Sequence, residues 1–284
     1  MMKLEELRNV SINGDVREVI KYIPDDSIHL TFTSPPYYNA RDYSKYDSYD
    51  EYLKFMESII IELNRVTKEG RFLVINSSPV LQKRSGRQHQ SIRFPIPYDL
   101  HHLIMKNGWM FIDDIVWVKP EASVKNRNGN FLQNRKPLAY KPNVVTESIM
   151  VYRKKTEQLI DWNIQQYSKD IIEQSKVQCE YETSNVWMIG PESDEFHSAV
   201  FPIKLCSNII KFYSFVGDLV FDPFAGRGTL GMSALKLNRY FLLVEKNESY
   251  FKLLNKNIIN ESTSFFYDDI EPTFFNSEVL TSNV

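Results

Sequence analysis

Apolar residues along this chain follow two rhythms. Short, nearly unbroken apolar runs bounded by Gly, Pro or charged residues recur at 28–32, 71–76, 109–119, 147–152, 219–221 and 240–244. Runs of that length and continuity predict strands buried on both faces. Between them the spacing changes to three and four. Leu53, Met56, Ile60 and Leu63 predict a helix over 49–66, and Leu205, Ile209, Ile210 and Phe212 predict another over 202–215. Further helices are expected at 16–22, at 97–106 and from about Thr229. The alternation predicts an α/β fold, a doubly wound and mostly parallel sheet with one antiparallel strand. The strand at 147–152 returns to that sheet.

The remaining stretches read less clearly. Residues 1–10 look helical or frayed, and 10–15 read as a short strand and turn with Asp15 at a helix N-cap. Segments 81–93 and 120–142 are polar and basic and read as long loops. Residues 156–195 read as an insertion with its own small elements, and the acidic tail from Ser262 as an added strand or a cover for apolar surface. Six tyrosines between Tyr37 and Tyr52 form an aromatic loop, of which Tyr49 and Tyr52 share the spacing of the following helix and belong to the core.

Composition narrows the picture. With 284 residues and 43% hydrophobic content, the chain can bury a full core as one large domain or one domain plus a lobe. It has no run of eighteen apolar residues and no apolar N-terminal signal region, so a soluble, cytoplasmic protein is expected. Cys179, Cys206 and the five histidines show no disulfide framework and no metal-ligand spacing, and no metal is expected. The net charge of −2 says little, but its distribution is uneven. Residues 81–155 hold fourteen Lys/Arg against five Asp/Glu, a local +9 that leaves −11 on the rest. One strongly basic segment on an acidic chain is a footprint of polyanion contact.

Two stretches carry chemistry. In Thr33-Ser34-Pro35-Pro36-Tyr37 neither proline can donate to a sheet ladder, and Ser34 before a proline is held extended. The result is a stiff elbow at the carboxyl end of a strand, where open α/β sheets place ligands. Acceptors at Ser34 and Pro35 beside the Tyr37 ring suit a planar ring bearing an exocyclic amine. The second stretch runs from Gly217 to Gly231. Gly226-x-Gly228-x-x-Gly231, with Glu245 at the next strand end, fits a dinucleotide fingerprint. Asp222, just before the glycines, opposes a pyrophosphate: like charges about 4 Å apart repel by roughly 4 kcal/mol at an effective dielectric of 20. A carboxylate there favours a ligand with an ammonium group, and Glu245 can chelate ribose hydroxyls. S-adenosylmethionine satisfies both acids better than a nicotinamide cofactor.

Together these stretches resemble the amino-methylating DNA methyltransferases, and their order resembles the permuted β-group, with the catalytic tetrapeptide ahead of the cofactor glycines. Asn13-Gly14-Asp15, 115–119 ending in Lys119, 147–152 beginning in Glu147, and 197–202 add to the likeness, although Ser198 and Val200 stand where Pro is common. The likeness spans about 13–259.

The resemblance implies a division into a catalytic half at 1–119, a target-recognition region at 120–197 with a returning core strand, a cofactor half at 198–261 and a tail at 262–284. It also implies base flipping, because the amine is unreachable inside the duplex. Ser34, Pro35, Pro36 and Tyr37 would be catalytic, with Ser34 and Pro35 accepting from the amine and Tyr37 stacking on the base. Asp15, Thr33, Phe201, Pro202, Asp222, Phe224, Ala225, Gly226, Gly228, Thr229, Glu245 and Lys246 would surround the cofactor. The basic loops offer Arg84, Arg87, Arg93, Lys125, Arg127, Arg135 and Lys136 for DNA.

Ring-carbon methylation needs a Cys nucleophile, and neither Cys follows a proline. In the family that the chain resembles, a serine at the head of the tetrapeptide goes mostly with N4 of cytosine, so N4 is expected here, with N6 of adenine as the alternative. A restriction-modification setting with a cognate endonuclease is expected, as monomer or homodimer. A non-catalytic DNA-binding subunit is the reading from another class.

Overall fold

The computed structural model describes residues 2–39, 46–82, 86, 88–89, 91–121, 137–138, 142–177, 182–190, 201–264 and 272–277. Its centre is a nine-stranded sheet built from β1 (Val10–Asn13), β2 (Ile28–Thr33), β3 (Thr67–Ser77), β6 (Trp109–Val118), β7 (Thr146–Lys154), β8 (Val186–Met188), β9 (Leu219–Asp222), β10 (Tyr240–Glu245) and β11 (Thr273–Asn276). The spatial order is β11-β1-β10-β9-β2-β3-β7-β6-β8. Every pairing described within this sheet is parallel except those of β7 with β3 and β6, so β7 alone runs backwards in it. The expected doubly wound α/β sheet is borne out.

Side chains along each central strand alternate between two cores. Leu73 and Ile75 of β3, Met150 and Tyr152 of β7, and Leu242 and Val244 of β10 face one core. Phe72, Val74, Ile149, Val151, Phe241 and Leu243 face the other. That alternation is the period of a strand covered on both sides. Helices α1 (Val16–Val19), α2 (Tyr49–Val66) and α3 (Ile96–Lys106) seal the first face. Helices α6 (Ile203–Tyr213), α7 (Thr229–Lys236) and α8 (Glu248–Ser264) seal the second. In α2 the Ser48 hydroxyl accepts from Glu51 N at 3.1 Å, while Met56, Ile59, Ile60, Leu63 and Val66 are buried. Each such side chain contributes about 1.5–3 kcal/mol as an upper figure. Tyr49 and Tyr52 pack with Tyr38, Tyr46 and Phe94, so most of the aromatic loop is core rather than stacking surface. Tyr43 lies outside the described residues.

Several expectations change. Residues 81–93, read as a loop, include a hairpin of β4 (Val80–Gln82) and β5 (Ile92–Phe94). The basic residues between the two strands masked the pattern at its stem. The N-terminal segment is a single 3-10 turn at Leu4–Leu7. The tail supplies β11, parallel to β1.

Within 156–195 lie α4 (Ile160–Gln165), α5 (Lys169–Ser175) and β8. Helix α4 and the turn that follows it sit at the opposite end of the sheet from Ser34. Asn163 bonds Glu69 O at 2.9 Å, and Tyr167 bonds Asp218 at 2.5 Å. These residues stand at the entrance to β3 and β9, away from the strand ends expected to bind ligand.

Candidate active site

Parallel strands deliver their carboxyl ends to one edge of the sheet, and β7, being reversed, delivers its amino end there. Asn13, Glu245, Asp222, Thr33, Asn76 and Glu147 therefore share one edge, although the chain separates them by up to 232 residues. The meeting of the two informative stretches is direct. Strand β2 pairs with β9 at Leu30–Val220 and Thr31–Phe221, and beyond that register Thr33 Oγ1 donates to Asp222 Oδ1 at 2.6 Å. Ser34 is the next residue.

The cofactor half is built from turns. Gly226 and Gly228 have φ of +53° and +84°, a left-handed backbone that a side chain would strain. A Cβ on Gly231 would stand 2.7 Å from Leu243 Cδ1, so the third glycine lets α7 lie close on the sheet. Ala225 N donates to Val244 O at 2.9 Å, and Thr229 starts α7. Asp222 is buried, with Oδ1 accepting from Thr33 and from Phe224 N at 3.0 Å. Burial pushes its carboxyl up to about 7, against the pull of those two bonds and with a further push from Glu245. Glu245 accepts from Gly226 N at 2.8 Å through Oε2 and from Asn247 N at 2.7 Å through Oε1, and burial raises its carboxyl too.

Asp15 caps α1 by accepting from Arg17 N at 3.0 Å, so its capping role is realised. It also pairs with Arg17 and, at 3.0 Å, with Lys246 Nζ beside Glu245. The Arg17 hydrogen bond holds its carboxyl well below the usual range. Gly14 N and the Asn13 amide both donate to Glu245 O, joining this turn to the end of β10. Phe201 stacks on Phe32, centroids 4.8 Å apart, and Pro202 caps α6. Phe224, Ala225, Gly226, Gly228 and Thr229 follow Asp222 along the chain, and Lys246 follows Glu245.

On the catalytic side Pro35 is buried, while Ser34, Pro36 and Tyr37 are half-buried. The Ser34 hydroxyl lies 3.5 Å from Tyr37 Oη, which donates to Glu147 Oε2 at 3.0 Å. Burial, then the nearby Glu147 charge, keeps the Tyr37 phenol protonated far above its ordinary range. Glu147 also receives the Asn76 amide and the Lys119 ammonium. The Asn76 side-chain oxygen is buried without a partner among the described residues. No role was expected of Asn76, Lys119 or Glu147. Their signal was a Lys ending one strand and a Glu starting the next, which meet only because β6 and β7 pair at Val118–Thr146.

Of the expected DNA contacts, Arg93 lies on β5, in a hairpin rooted two residues beyond the crevice end of β3, and its Nη2 lies 3.5 Å from Pro142 O. Arg84, Arg87, Lys125, Arg127, Arg135 and Lys136 fall outside the described residues. Among the described residues no group of three or more His, Cys, Asp or Glu could hold a metal ion, and no helix is long and apolar enough to cross a membrane.

Comparisons with known proteins point to one family. The type II methyltransferase M.MwoI of Methanothermobacter wolfeii is 27% identical over 86% of this chain, which spans only 34% of that protein. The type II methyltransferase M.ScaI of Streptomyces caespitosus is 28% identical over 89% of this chain and 82% of its own length. Among solved structures, TTHA0409 of Thermus thermophilus, provisionally assigned as a DNA modification methylase and solved with S-adenosyl-L-methionine, superposes with a TM-score of 0.74 at 26% identity. That match covers 94% of this chain and 97% of the other. A family model described as DNA methylase, of the N6/N4 type, matches residues 28–256. The chain belongs to the N6/N4 DNA methylase family.

Proposed function

We propose that this chain is a site-specific DNA methyltransferase that transfers the methyl group of S-adenosylmethionine to N4 of cytosine in duplex DNA. The observation that carries the reading is the Thr33–Asp222 hydrogen bond at 2.6 Å, which sets the Ser34 elbow beside a buried carboxylate suited to a cofactor ammonium. Both bonds to Asp222 fall on Oδ1, leaving Oδ2 for that ammonium. Glu245 spends one lone pair on each oxygen on backbone N–H groups and keeps others for ribose hydroxyls. The acceptor set fits the cofactor.

When bound, S-adenosylmethionine supplies an electrophilic methyl group on sulfur. Ser34 and the Pro35 carbonyl accept hydrogen bonds from the target amine, drawing its lone pair out of conjugation with the ring. Tyr37 stacks on the extruded base. The elbow is rigid, so the amine is held in line without reorganisation, and catalysis rests on positioning and electrostatics. Arg93 on its hairpin, Arg84 and Arg87 close by in sequence, and Lys125, Arg127, Arg135 and Lys136 of the later basic segment would grip the phosphates. A neutral serine is a weaker acceptor than a carboxylate, which supports cytosine over adenine. The type II relatives support a restriction-modification setting; a cytoplasmic location and a cognate endonuclease as partner belong to the same proposal.

Sequencing modified bases in DNA from cells expressing the chain tests this. N4-methylcytosine at one short site is expected, and N6-methyladenine at such a site would reassign the target. Ser34→Ala should lower the rate about hundredfold and leave binding of S-adenosylhomocysteine intact. Unmodified DNA from a protein that binds the cofactor would sink the assignment in favour of a non-catalytic DNA-binding subunit.

A further inference from the structure

We infer that Glu147 is a positioning residue that sets Ser34 as a hydrogen-bond acceptor toward the target amine. A serine hydroxyl beside an amine is ambivalent, since it can donate its single proton or accept through its lone pairs. Only the accepting orientation helps here, because donation to the amine would occupy the lone pair that must attack.

The hydrogen bonds around Glu147 resolve that ambiguity. A carboxylate accepts and cannot donate. Tyr37 Oη, 3.0 Å from Glu147 Oε2, must therefore spend its proton on the carboxylate. The phenol oxygen then has only lone pairs to offer toward Ser34, 3.5 Å away, and takes the serine proton. Both Ser34 lone pairs are left for the amine. Lys119 and Asn76 hold the carboxylate from its other sides. Lys119 directly follows β6 and Asn76 lies on β3, the two strands paired with β7, so the terminus of the chain of bonds is fixed by the sheet itself. Glu147 is largely buried, with a side chain 12% exposed, which strengthens each bond relative to water.

This inference rests on the proposed methyl transfer, and the experiment separates the two. Glu147→Gln and Tyr37→Phe would be measured singly, and each again in the Ser34→Ala background, for kcat, KM for DNA, S-adenosylhomocysteine affinity and melting temperature. Glutamine can turn its amide N–H toward Tyr37 and reverse the polarity, while phenylalanine keeps the stacking ring. Each single change should lower kcat about tenfold or more, with KM and cofactor affinity within about twofold. In the Ser34→Ala background neither should lower kcat further, because both act through the serine hydroxyl. Undiminished kcat in Tyr37→Phe, or losses that multiply with Ser34→Ala, would overturn the role. Tyr37→Phe removes one oxygen and keeps the test open even if Glu147→Gln unfolds. A wild-type protein that never methylates DNA would instead refute the proposed function.

Discussion

Strand β9 has a buried aspartate at each end, and the two are treated in opposite ways. Asp218, just before it, is 1% exposed and surrounded by compensation: the Arg71 guanidinium, the Tyr167 hydroxyl, Phe215 N at 2.8 Å and His29 Nε2 at 3.5 Å. Burial keeps His29 neutral by drawing its pKa down to about 3. Asp222, at the far end, is 3% exposed and has two neutral donors on one oxygen, with no cation against it among the described residues. A buried charge that is paired holds structure together, whereas one left short of a partner stores a demand that a ligand can meet. Four residues apart, the same side chain serves as a lock and, on the proposed reading, as a receptor.

The largest expected effect comes from opening the lock. Asp218→Ala leaves the 4% exposed Arg71 without its counter-charge and should cost about 3–5 kcal/mol of stability, read from denaturant midpoints. A loss below about 1 kcal/mol would erase the contrast with Asp222.

Asp222→Asn should act in reverse, weakening S-adenosylhomocysteine by about 2–4 kcal/mol while leaving the fold as stable or more so at pH 8. The pH dependence follows from the carboxyl raised from 3.8 to about 7. Protonated Asp222 suits the folded apo-protein, so its contribution to stability is present below about pH 4 and lost as pH rises through about 7. The total is up to about 4 kcal/mol. Affinity for the ammonium ligand runs the other way, about tenfold weaker at pH 6 than on the plateau above pH 8. Both trends should flatten in Asp222→Asn, and an unchanged slope would show that another group titrates.

Thr33→Val is the smallest change. Losing the 2.6 Å donor should cost about 1 kcal/mol and move the midpoint of the affinity profile to higher pH, since that bond pulls the Asp222 carboxyl down. A midpoint moving downward would contradict the assignment of the bond.

The same contrast marks what could be read from residues alone. Asp222 was legible because glycines follow it at fixed spacing, and Ser34 because two prolines forbid the strand to continue. Both signals are local. The partners of Asp218 and Glu147 have no local signature: one depends on Arg71 and Tyr167 arriving from elsewhere, the other on a strand that reverses direction and meets Lys119 only through register. The hairpin at 80–94 was hidden for a different reason, since its three-residue strands are too short to show a period and basic residues fill the stretch between them. The placement of α4 at the far end of the sheet was equally invisible, being set by Asn163 bonding a backbone carbonyl of β3.

The antiparallel pairing of β6 with β7 has a further consequence. Val118 faces Thr146, and Lys119 N bonds Val145 O at 2.8 Å, so residues 120 to 144 leave and re-enter the sheet at adjacent points on the catalytic floor. A segment with clamped stems tolerates insertion, deletion or wholesale exchange at little entropic cost, because closure grows only with the logarithm of length. On the proposed reading, such an architecture lets the segment assigned to DNA recognition diversify while the chemistry beside it stays untouched, and makes this segment the natural place to graft a new sequence preference.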